Sequence, residues 1–148
     1  EAMPLSDREV FARLIQCEAG GEGENGMKAV ANVVMNRVRT NMGEYARVGQ
    51  GDLRKIIFQP GQFACALETE RGRYNPQNLF NMSPEQIHYD IVDWALAGNK
   101  LLTLGQALWF YNPFSPNCRQ NFPSDVGYFV TRIGDHCFYN PTEAYAQT

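Results

Sequence analysis

Apolar and polar positions alternate with a helical period at the start of the chain. After Ser6, apolar residues recur three and four positions apart from Val10 to Ile15, and the pattern stops at two consecutive glycines. This spacing predicts a helix over 7–19, because such positions share one helix face. Ser6 and Glu9 have the spacing of a capping box, in which each side chain accepts a hydrogen bond from the other's backbone amide.

The pattern changes from helical to extended beyond residue 100. There, short runs of aromatic and β-branched residues are separated by a loop rich in Pro, Asn and Ser, which is typical of strands. Upstream, Ser83 and Pro84 suit the N-cap and first residue of a helix. The elements predicted after the first helix are a helix over 27–39, a short apolar turn over 53–58, a helix from 84 to Gly98, and strands over 107–111, 128–133 and 136–139.

Helices are predicted in the first two thirds of the chain and a small sheet in the last third. This order indicates an α+β fold, mainly helical, that forms a single catalytic domain over residues 4–148. A length of 148 residues and a hydrophobic content of 44% are enough for a buried core. We expect residues 1–3 to be vector-derived or start residues, so that the protein is made without a visible signal peptide.

Charge and hydropathy exclude two classes of partner. The chain has 13 basic and 16 acidic residues, a net charge of −3 and no Lys/Arg cluster, so no nucleic-acid surface is predicted. Its apolar runs are far too short for a membrane span. Aromatic residues make up 12% of the chain and crowd its last third. They are candidates for either the core or a ligand-binding wall.

The four cysteines leave the redox state open. They are widely spaced, no C-x-x-C pair occurs, and the chain has only two histidines, so a structural zinc site is not predicted. One or two disulfides and free buried thiols agree equally well with the sequence. The cysteines are Cys17, Cys65, Cys118 and Cys137.

Glu18 interrupts the apolar stripe of the first helix. It lies seven residues after Phe11 and therefore nearly in line with it. A carboxyl group on a core-facing stripe loses hydration, which raises its pKa. Such an acid keeps its proton near neutral pH and can deliver it to the leaving oxygen of a glycosidic bond. The alternative is that Glu18, in the last helical turn, simply points into water. Glu22, in the glycine-rich loop that follows, is a candidate second carboxylate.

Five segments in order resemble the bacterial cell-wall hydrolase family of the SleB and CwlJ spore cortex-lytic enzymes. The compact length, without an attached peptidoglycan-binding domain, is most similar to the CwlJ branch. The matching segments are E-V-F-A-R-L-I-Q-C-E-A-G-G-E at 9–22, G-M-K-A-V-A-N-V-V-M-N-R-V at 26–38, I-I-F-Q-P-G-Q-F at 56–63, A-L-W-F-Y-N-P at 107–113 and I-G-D-H-C-F at 133–138.

The resemblance implies a fold related to lysozyme and the lytic transglycosylases. It also implies cleavage of the bond between N-acetylmuramic acid and N-acetylglucosamine in spore cortex peptidoglycan during germination. The first Glu of the family's E-A-x-G-E motif is its catalytic acid, and here that residue is Glu18. Many lytic transglycosylases have Ser after this Glu, whereas this chain has Ala19. The resemblance therefore does not carry over how the N-acetyl group of the muramic residue is held.

The candidate substrate contacts lie in the family-matching segments. Gln62, Tyr111 and Asn112 carry polar ends, which suit hydrogen bonds to sugars. Phe63 also lies in such a segment, but core packing is the preferred interpretation for it, as it is for Trp109, Phe129 and Phe138. His136 is a weaker substrate-binding candidate and is not predicted to be the catalytic base. Arg37 is a candidate partner for Glu18 or Glu22, but a plain helix-end role is preferred for it and for Asn36.

Two reaction outcomes and two other functions stay open. A lytic transglycosylase needs one carboxylate and closes a 1,6-anhydro ring, whereas a muramidase adds water and usually needs a second carboxylate, for which Glu22 is the candidate. The alternatives are a cortex peptidoglycan amidase that uses Cys17 or a metal, and a non-catalytic glycan-binding module of the spore coat.

No organic cofactor and no metal site are predicted. Calcium is considered because the resemblance implies a calcium-rich setting, but no Asp-rich loop with ligand spacing occurs. The expected partners are peptidoglycan glycan strands and spore-coat proteins, and the expected location is the spore coat or cortex.

Overall fold

The computed structural model describes residues 4–122 and 125–148, and places five helices ahead of a three-stranded sheet. The helices are α1 Asp7–Ala19, α2 Gly23–Arg39, α3 Gly43–Gly49, α4 Leu53–Ile57 and α5 Gln86–Leu96. The strands are β1 Thr69–Glu70, β2 Arg73–Tyr74, β3 Trp109–Tyr111, β4 Gly127–Ile133 and β5 His136–Pro141. Short 3-10 turns lie at Ala64–Ala66, Leu79–Asn81, Leu102–Leu104 and Glu143–Gln147.

The bounds predicted for α1 are confirmed, but its capping box is only half formed. Ser6 Oγ accepts from the Glu9 amide at 3.1 Å, as expected. The Glu9 carboxylate pairs instead with Arg13, at 2.8 Å, because a guanidinium one turn away is a stronger partner than the Ser6 amide. The residues of α1 that are buried are Val10, Phe11, Ala12, Leu14, Ile15 and Ala19.

Helix α2 begins at Gly23 rather than at residue 27, and most of its residues are buried. Its first turn consists of glycines and polar residues that carry no apolar period, so the sequence pattern could not show it. Helix α3 lies where a loop was predicted, and that prediction was wrong. Seven residues are too few for a helical period, and α3 buries only Tyr45 and Gly49.

Helix α5 also begins later than predicted. Its N-cap is Glu85 rather than Ser83, because the His88 side chain caps the helix start by accepting from the Glu85 amide at 2.9 Å. On the apolar face of α5, Ile91 and Ala95 are buried, whereas Ile87 and Trp94 are half-buried.

The late sheet has the antiparallel order β3-β5-β4. Its three strands fall where they were predicted, and Phe110 is opposite Phe138 in the register. A β-bulge between Phe129 and Thr131 interrupts the pairing of β4 with β5. The β1–β2 hairpin was not predicted, since its residues are all exposed and show no apolar alternation.

Two disulfides settle the question that the cysteine spacing left open. Cys17 is bonded to Cys65, which joins the end of α1 to the turn at Ala64–Ala66. Cys118 is bonded to Cys137, which joins the loop after β3 to β5. Over the described ranges, no helix is both long and apolar enough to cross a membrane.

Most of the aromatic residues that were expected in the core are there. Phe63, Trp109 and Phe138 are 4%, 8% and 0% exposed, and Phe129 is half-buried. Trp109 packs edge-on against Tyr145 at 5.3 Å between ring centroids. The C-terminal turn is thereby held against β3.

Candidate active site

Glu18 lies in the last turn of α1 with its carboxyl group largely buried. Burial raises its pKa from the ordinary 4.5 to about 6. Two opposing influences favour the ionised form, a backbone hydrogen bond from Cys65 and the positive charge of Arg37. The raised pKa expected from the apolar stripe is therefore found, and a fully solvated side chain is not.

The Cys17–Cys65 disulfide fixes the surroundings of Glu18. It holds the Cα atoms of the two cysteines 6.2 Å apart, directly beside the acid in sequence. The backbone of Cys65 is thereby kept against the carboxyl group of Glu18. Because the sulfur of Cys17 is bonded to another sulfur, Cys17 is not a nucleophile, and the amidase hypothesis that used it is wrong in that form.

Arg37 was expected to serve the end of its helix, and the structure contradicts this. The guanidinium is buried, and its Nε donates to the Leu108 carbonyl at 2.7 Å. The Arg37 Cζ atom lies 4.5 Å from the ring centroid of Tyr45 and 5.0 Å from that of Phe63. Arg37 faces the core rather than the helix end, because Val38 and Arg39 continue α2 past it.

Asn36 also turns inward rather than capping its helix. Its Nδ2 donates to the carbonyls of Gly105 and Ala107, at 3.3 and 3.0 Å. The helix-end interpretation of Asn36 is therefore wrong as well. Its bonds join α2 to the segment that leads into β3.

Gln62 links Arg37 to Tyr45. Its Oε1 accepts from the Tyr45 hydroxyl at 2.7 Å and from Arg37 Nη1 at 3.4 Å. Across the described chain, its Nε2 has no protein acceptor and the side chain is partly exposed, so this amide is free to donate to a ligand. Tyr45 was missed from sequence, because a single tyrosine in a glycine-rich stretch carries no pattern. Its own amide donates to the Tyr145 hydroxyl at 3.0 Å.

Glu22 and His136 form a second group. Glu22 Oε1 accepts from the Asp135 amide at 3.0 Å and lies 3.4 Å from His136 Nδ1. Burial lowers the pKa of His136, although Glu22 opposes this effect. One oxygen of Glu22 is thus engaged in holding the β4–β5 turn. His136 also packs edge-on against Phe110, at 5.1 Å between ring centroids.

Phe110 connects this second group to the first. Its ring centroid is 6.4 Å from that of Phe63, which lies under Arg37. Phe63 is therefore a buried packing residue, and its ring is not open to a ligand.

Tyr111 and Asn112 form a third group, at the last residue of β3 and the first residue after it. The Tyr111 ring stacks on Phe122 at 4.8 Å between centroids, and its hydroxyl accepts from the Arg119 amide at 3.4 Å. Asn112 Oδ1 accepts from the Phe114 amide at 2.8 Å. Both residues are half-exposed. Within 4–122 and 125–148, neither has a hydrogen bond to the residues around Glu18.

The titratable residues offer little to a metal ion. Among the residues whose placement is described, no group of three or more His, Cys, Asp or Glu side chains could hold one. The groups that stand out at this site are the largely buried carboxyl group of Glu18 and the buried guanidinium of Arg37, whose charge lowers the pKa of that carboxyl.

Comparison with known proteins agrees with the resemblance seen in the sequence. The model of the Cell Wall Hydrolase family matches residues 21–139. Cell wall hydrolase CwlJ of Bacillus subtilis is 30% identical over 140 residues, which cover 93% of this chain and 87% of the relative. CwlJ of Halalkalibacterium halodurans is 30% identical over 139 residues, with the same two shares.

Solved structures agree in fold. The catalytic domain of the germination-specific lytic transglycosylase SleB from Bacillus anthracis superposes with a TM-score of 0.65 at 23% identity, covering 95% of this chain and 98% of that one. The catalytic domain of Bacillus cereus SleB gives the same TM-score and identity, with 94% of each chain covered. The α+β fold with a small late sheet is thus confirmed as that of the SleB catalytic domains. By sequence and by fold, this chain belongs to the Cell Wall Hydrolase family.

Proposed function

We propose that the protein cleaves the glycosidic bond between N-acetylmuramic acid and N-acetylglucosamine in spore cortex peptidoglycan, with Glu18 as the general acid and base. The observation that carries the proposal is the buried Glu18 carboxyl, whose pKa of about 6 lets it keep a proton near neutral pH. Membership of the Cell Wall Hydrolase family supports peptidoglycan as the substrate. The likeness to a germination-specific SleB supports the spore cortex as its location.

The first chemical step transfers the Glu18 proton to the glycosidic oxygen. The bond from the muramic C1 to that oxygen breaks, the leaving sugar keeps the bonding electron pair with the proton, and positive charge develops on the muramic ring. Glu18 becomes a carboxylate at this moment. The Cys65 backbone and the Arg37 charge, which both favour ionised Glu18, stabilise the product of this step.

The second step favours ring closure over the addition of water. The Glu18 carboxylate takes a proton from the muramic C6 hydroxyl, whose oxygen bonds to C1 and closes a 1,6-anhydro ring. A muramidase would need Glu22 to activate water. One oxygen of Glu22 already accepts from Asp135 and lies near His136, which ties that carboxylate to a structural contact.

The glycan contacts are proposed from the polar groups that remain free. Gln62 supplies an amide donor, Nε2, on a side chain that already contacts Arg37, and Tyr111 and Asn112 supply a half-exposed ring and amide at the end of β3. His136 is held neutral by its lowered pKa and presents an imidazole next to Glu22. Phe63 is buried and contributes to the site by packing rather than by contact with the glycan.

The decisive test replaces Glu18 by Gln. We expect Glu18→Gln to lose about 10²- to 10⁴-fold in the rate of cortex digestion, since a general acid contributes about that much. The matched control is Glu24→Gln, because Glu24 is exposed and pairs only with Lys28. Full activity of Glu18→Gln would refute the role of Glu18.

Mass spectrometry of the released muropeptides separates the alternatives. Anhydro-muramic ends are the expected product. Reducing ends would indicate a muramidase, released stem peptides an amidase, and the absence of products a glycan-binding coat module.

The reaction as proposed uses only side chains of the protein, so it needs no organic cofactor and no calcium. Digestion that continues unchanged in the presence of a chelator is the expected result. Spore-coat proteins are proposed as neighbours at the cortex.

A further inference from the structure

Arg37 is a buried cation whose hydrogen-bond partners are all neutral. It is 4% exposed, and its acceptors are the Leu108 carbonyl and Gln62 Oε1. Throughout the part of the chain that the structure describes, no carboxylate lies within ion-pair distance of it. Burying a charge without a counterion costs free energy, so a buried arginine of this kind calls for a functional reason.

The segment 62–65 brings Arg37 and Glu18 to the same place. Gln62 and Phe63 contact the guanidinium. Two residues later, the side chain of Cys65 is bonded to Cys17, the residue that precedes Glu18, with 6.2 Å between the two Cα atoms. The guanidinium and the carboxyl group therefore face one short segment that a disulfide holds in position.

The guanidinium is fixed in orientation as well as in place. Nε is bonded to Leu108, and the group lies over two aromatic rings, those of Tyr45 and Phe63. The Tyr45 hydroxyl bonds the same Gln62 oxygen that accepts from Arg37. Because the guanidinium is already fixed, it does not have to move or reorient when a neighbouring group ionises.

We propose that Arg37 is a positioning residue for Glu18, whose fixed charge stabilises the carboxylate formed when Glu18 gives its proton to the substrate. This inference rests on the proposed function of Glu18 as general acid. The charge acts more strongly on the ionised product of proton transfer than on the neutral acid, so it lowers the barrier rather than only tightening binding.

Among the titratable groups around Arg37, Glu18 is the one on which the Arg37 charge mainly acts. Tyr45 and Tyr145 are neutral near pH 6, since burial raises the pKa of both, that of Tyr145 to about 12. Glu44 has a weaker influence on Arg37 than Glu18 has, and it accepts a hydrogen bond from Gln59 Nε2 at 3.2 Å. Removal of the Arg37 charge should therefore act on Glu18 first, and should raise its pKa.

The test compares Arg37→Gln with Arg37→Lys. Gln keeps an amide donor without charge, and Lys keeps the charge without the planar group. The ionisation of Glu18 is followed by the ¹³C chemical shift of its side-chain carboxyl as a function of pH. We expect the midpoint to rise by about one pH unit in Arg37→Gln and to stay near its original value in Arg37→Lys.

The pH profile of cortex digestion gives the second measurement. Activity needs protonated Glu18, so the fall in rate at higher pH should move up with the midpoint in Arg37→Gln. The highest rate should drop about tenfold, because the carboxylate product is less stable. A purely structural role would lower the rate without moving the midpoint. An unmoved midpoint in a folded Arg37→Gln protein overturns the inference.

A measurement on the unaltered protein covers the case in which Arg37→Gln does not fold. The ¹⁵N shift of Arg37 Nε should titrate with the same midpoint as the Glu18 carboxyl, and an invariant shift overturns the inference. These NMR readouts do not depend on catalysis. If Glu18→Gln kept full activity while the two groups titrated together, the proposed function would fail and the coupling would stand.

Discussion

At the residue scale, the carboxyl group of Glu18 lies in an environment that disfavours its ionised form. Glu18 has a folded pKa of about 6 against an ordinary 4.5. Between these pH values the folded protein binds more protons than the unfolded chain, so the free energy of unfolding falls as the pH rises through this window. The penalty is complete only above pH ~7, about one unit above the folded pKa, and absent well below 4.5.

Glu18→Gln should therefore stabilise the protein at neutral pH. The shift corresponds to about 2 kcal/mol in the free energy of unfolding, reached above pH ~7 and vanishing near pH ~4. Urea unfolding at a series of pH values measures it. Glu24→Gln, at an exposed site, should change stability by less than about 0.5 kcal/mol at every pH. Equal stability of Glu18→Gln and the parent protein at pH ~7 would contradict the buried position of the acid.

The residues of the site differ in how far the sequence could reveal them. Glu18 was accessible because it breaks a helical stripe, which is a local signal. For Arg37, pairing with Glu18 was an alternative to the preferred helix-end role. The contacts that turn it inward are with Leu108 and Gln62, which are distant in sequence and carry no local signal. Tyr45 was hidden for the same reason, because its partners Gln62 and Tyr145 are joined to it only by the fold.

At the element scale, the predictions succeeded where an apolar period was long enough to measure. Helix α1 and the three strands of the late sheet were found, whereas α3 was missed because seven residues do not display a period. The cysteine pairing could not be predicted either. Four cysteines allow three connectivities, and only the fold decides which sulfurs meet.

The two disulfides should differ in their effect on activity. Replacement of both Cys17 and Cys65 by Ser should cost about 2–4 kcal/mol of stability, because a 48-residue loop is released in the unfolded chain. It should also reduce the digestion rate at low temperature, where the protein stays folded, since the Cys65 backbone is no longer held against Glu18.

The double replacement of Cys118 and Cys137 by Ser is the matched control. Its loop of 19 residues gives a somewhat smaller loss of stability, and its bond lies away from Glu18. We expect the rate at low temperature to be nearly unchanged in this variant. Denaturant unfolding and digestion assays on both variants provide the comparison. Equal losses of activity in the two would show that the disulfides act only through stability.

At the scale of the whole molecule, charge contributes little to either cohesion or recognition. The net charge is −3. The exposed ion pairs Arg8–Asp93 and Arg54–Asp7 join α1 to α5 and to α4, and because water and salt screen them, each contributes little to stability. Substrate recognition must therefore depend on local contacts in the site.

The digestion rate should accordingly respond weakly to salt. Raising the ionic strength from about 50 mM to about 300 mM, which shortens the screening length to a few ångströms, should change the rate by less than about twofold. Assays on a suspension of purified cortex at constant pH measure this. A steep fall in the digestion rate with increasing salt would show that long-range electrostatic attraction contributes to substrate binding.

The contact between Tyr45 and Tyr145 has a consequence for the order of events in biosynthesis. The Tyr145 hydroxyl accepts from the Tyr45 amide, and the Tyr45 hydroxyl in turn holds Gln62 beside Arg37. A nascent chain that has not yet been translated as far as residue 145 lacks this support, even when the helix bearing Glu18 is long complete. The contacts around Gln62 are therefore complete only after residue 145 has been translated, so chains released by the ribosome before that residue would lack this support.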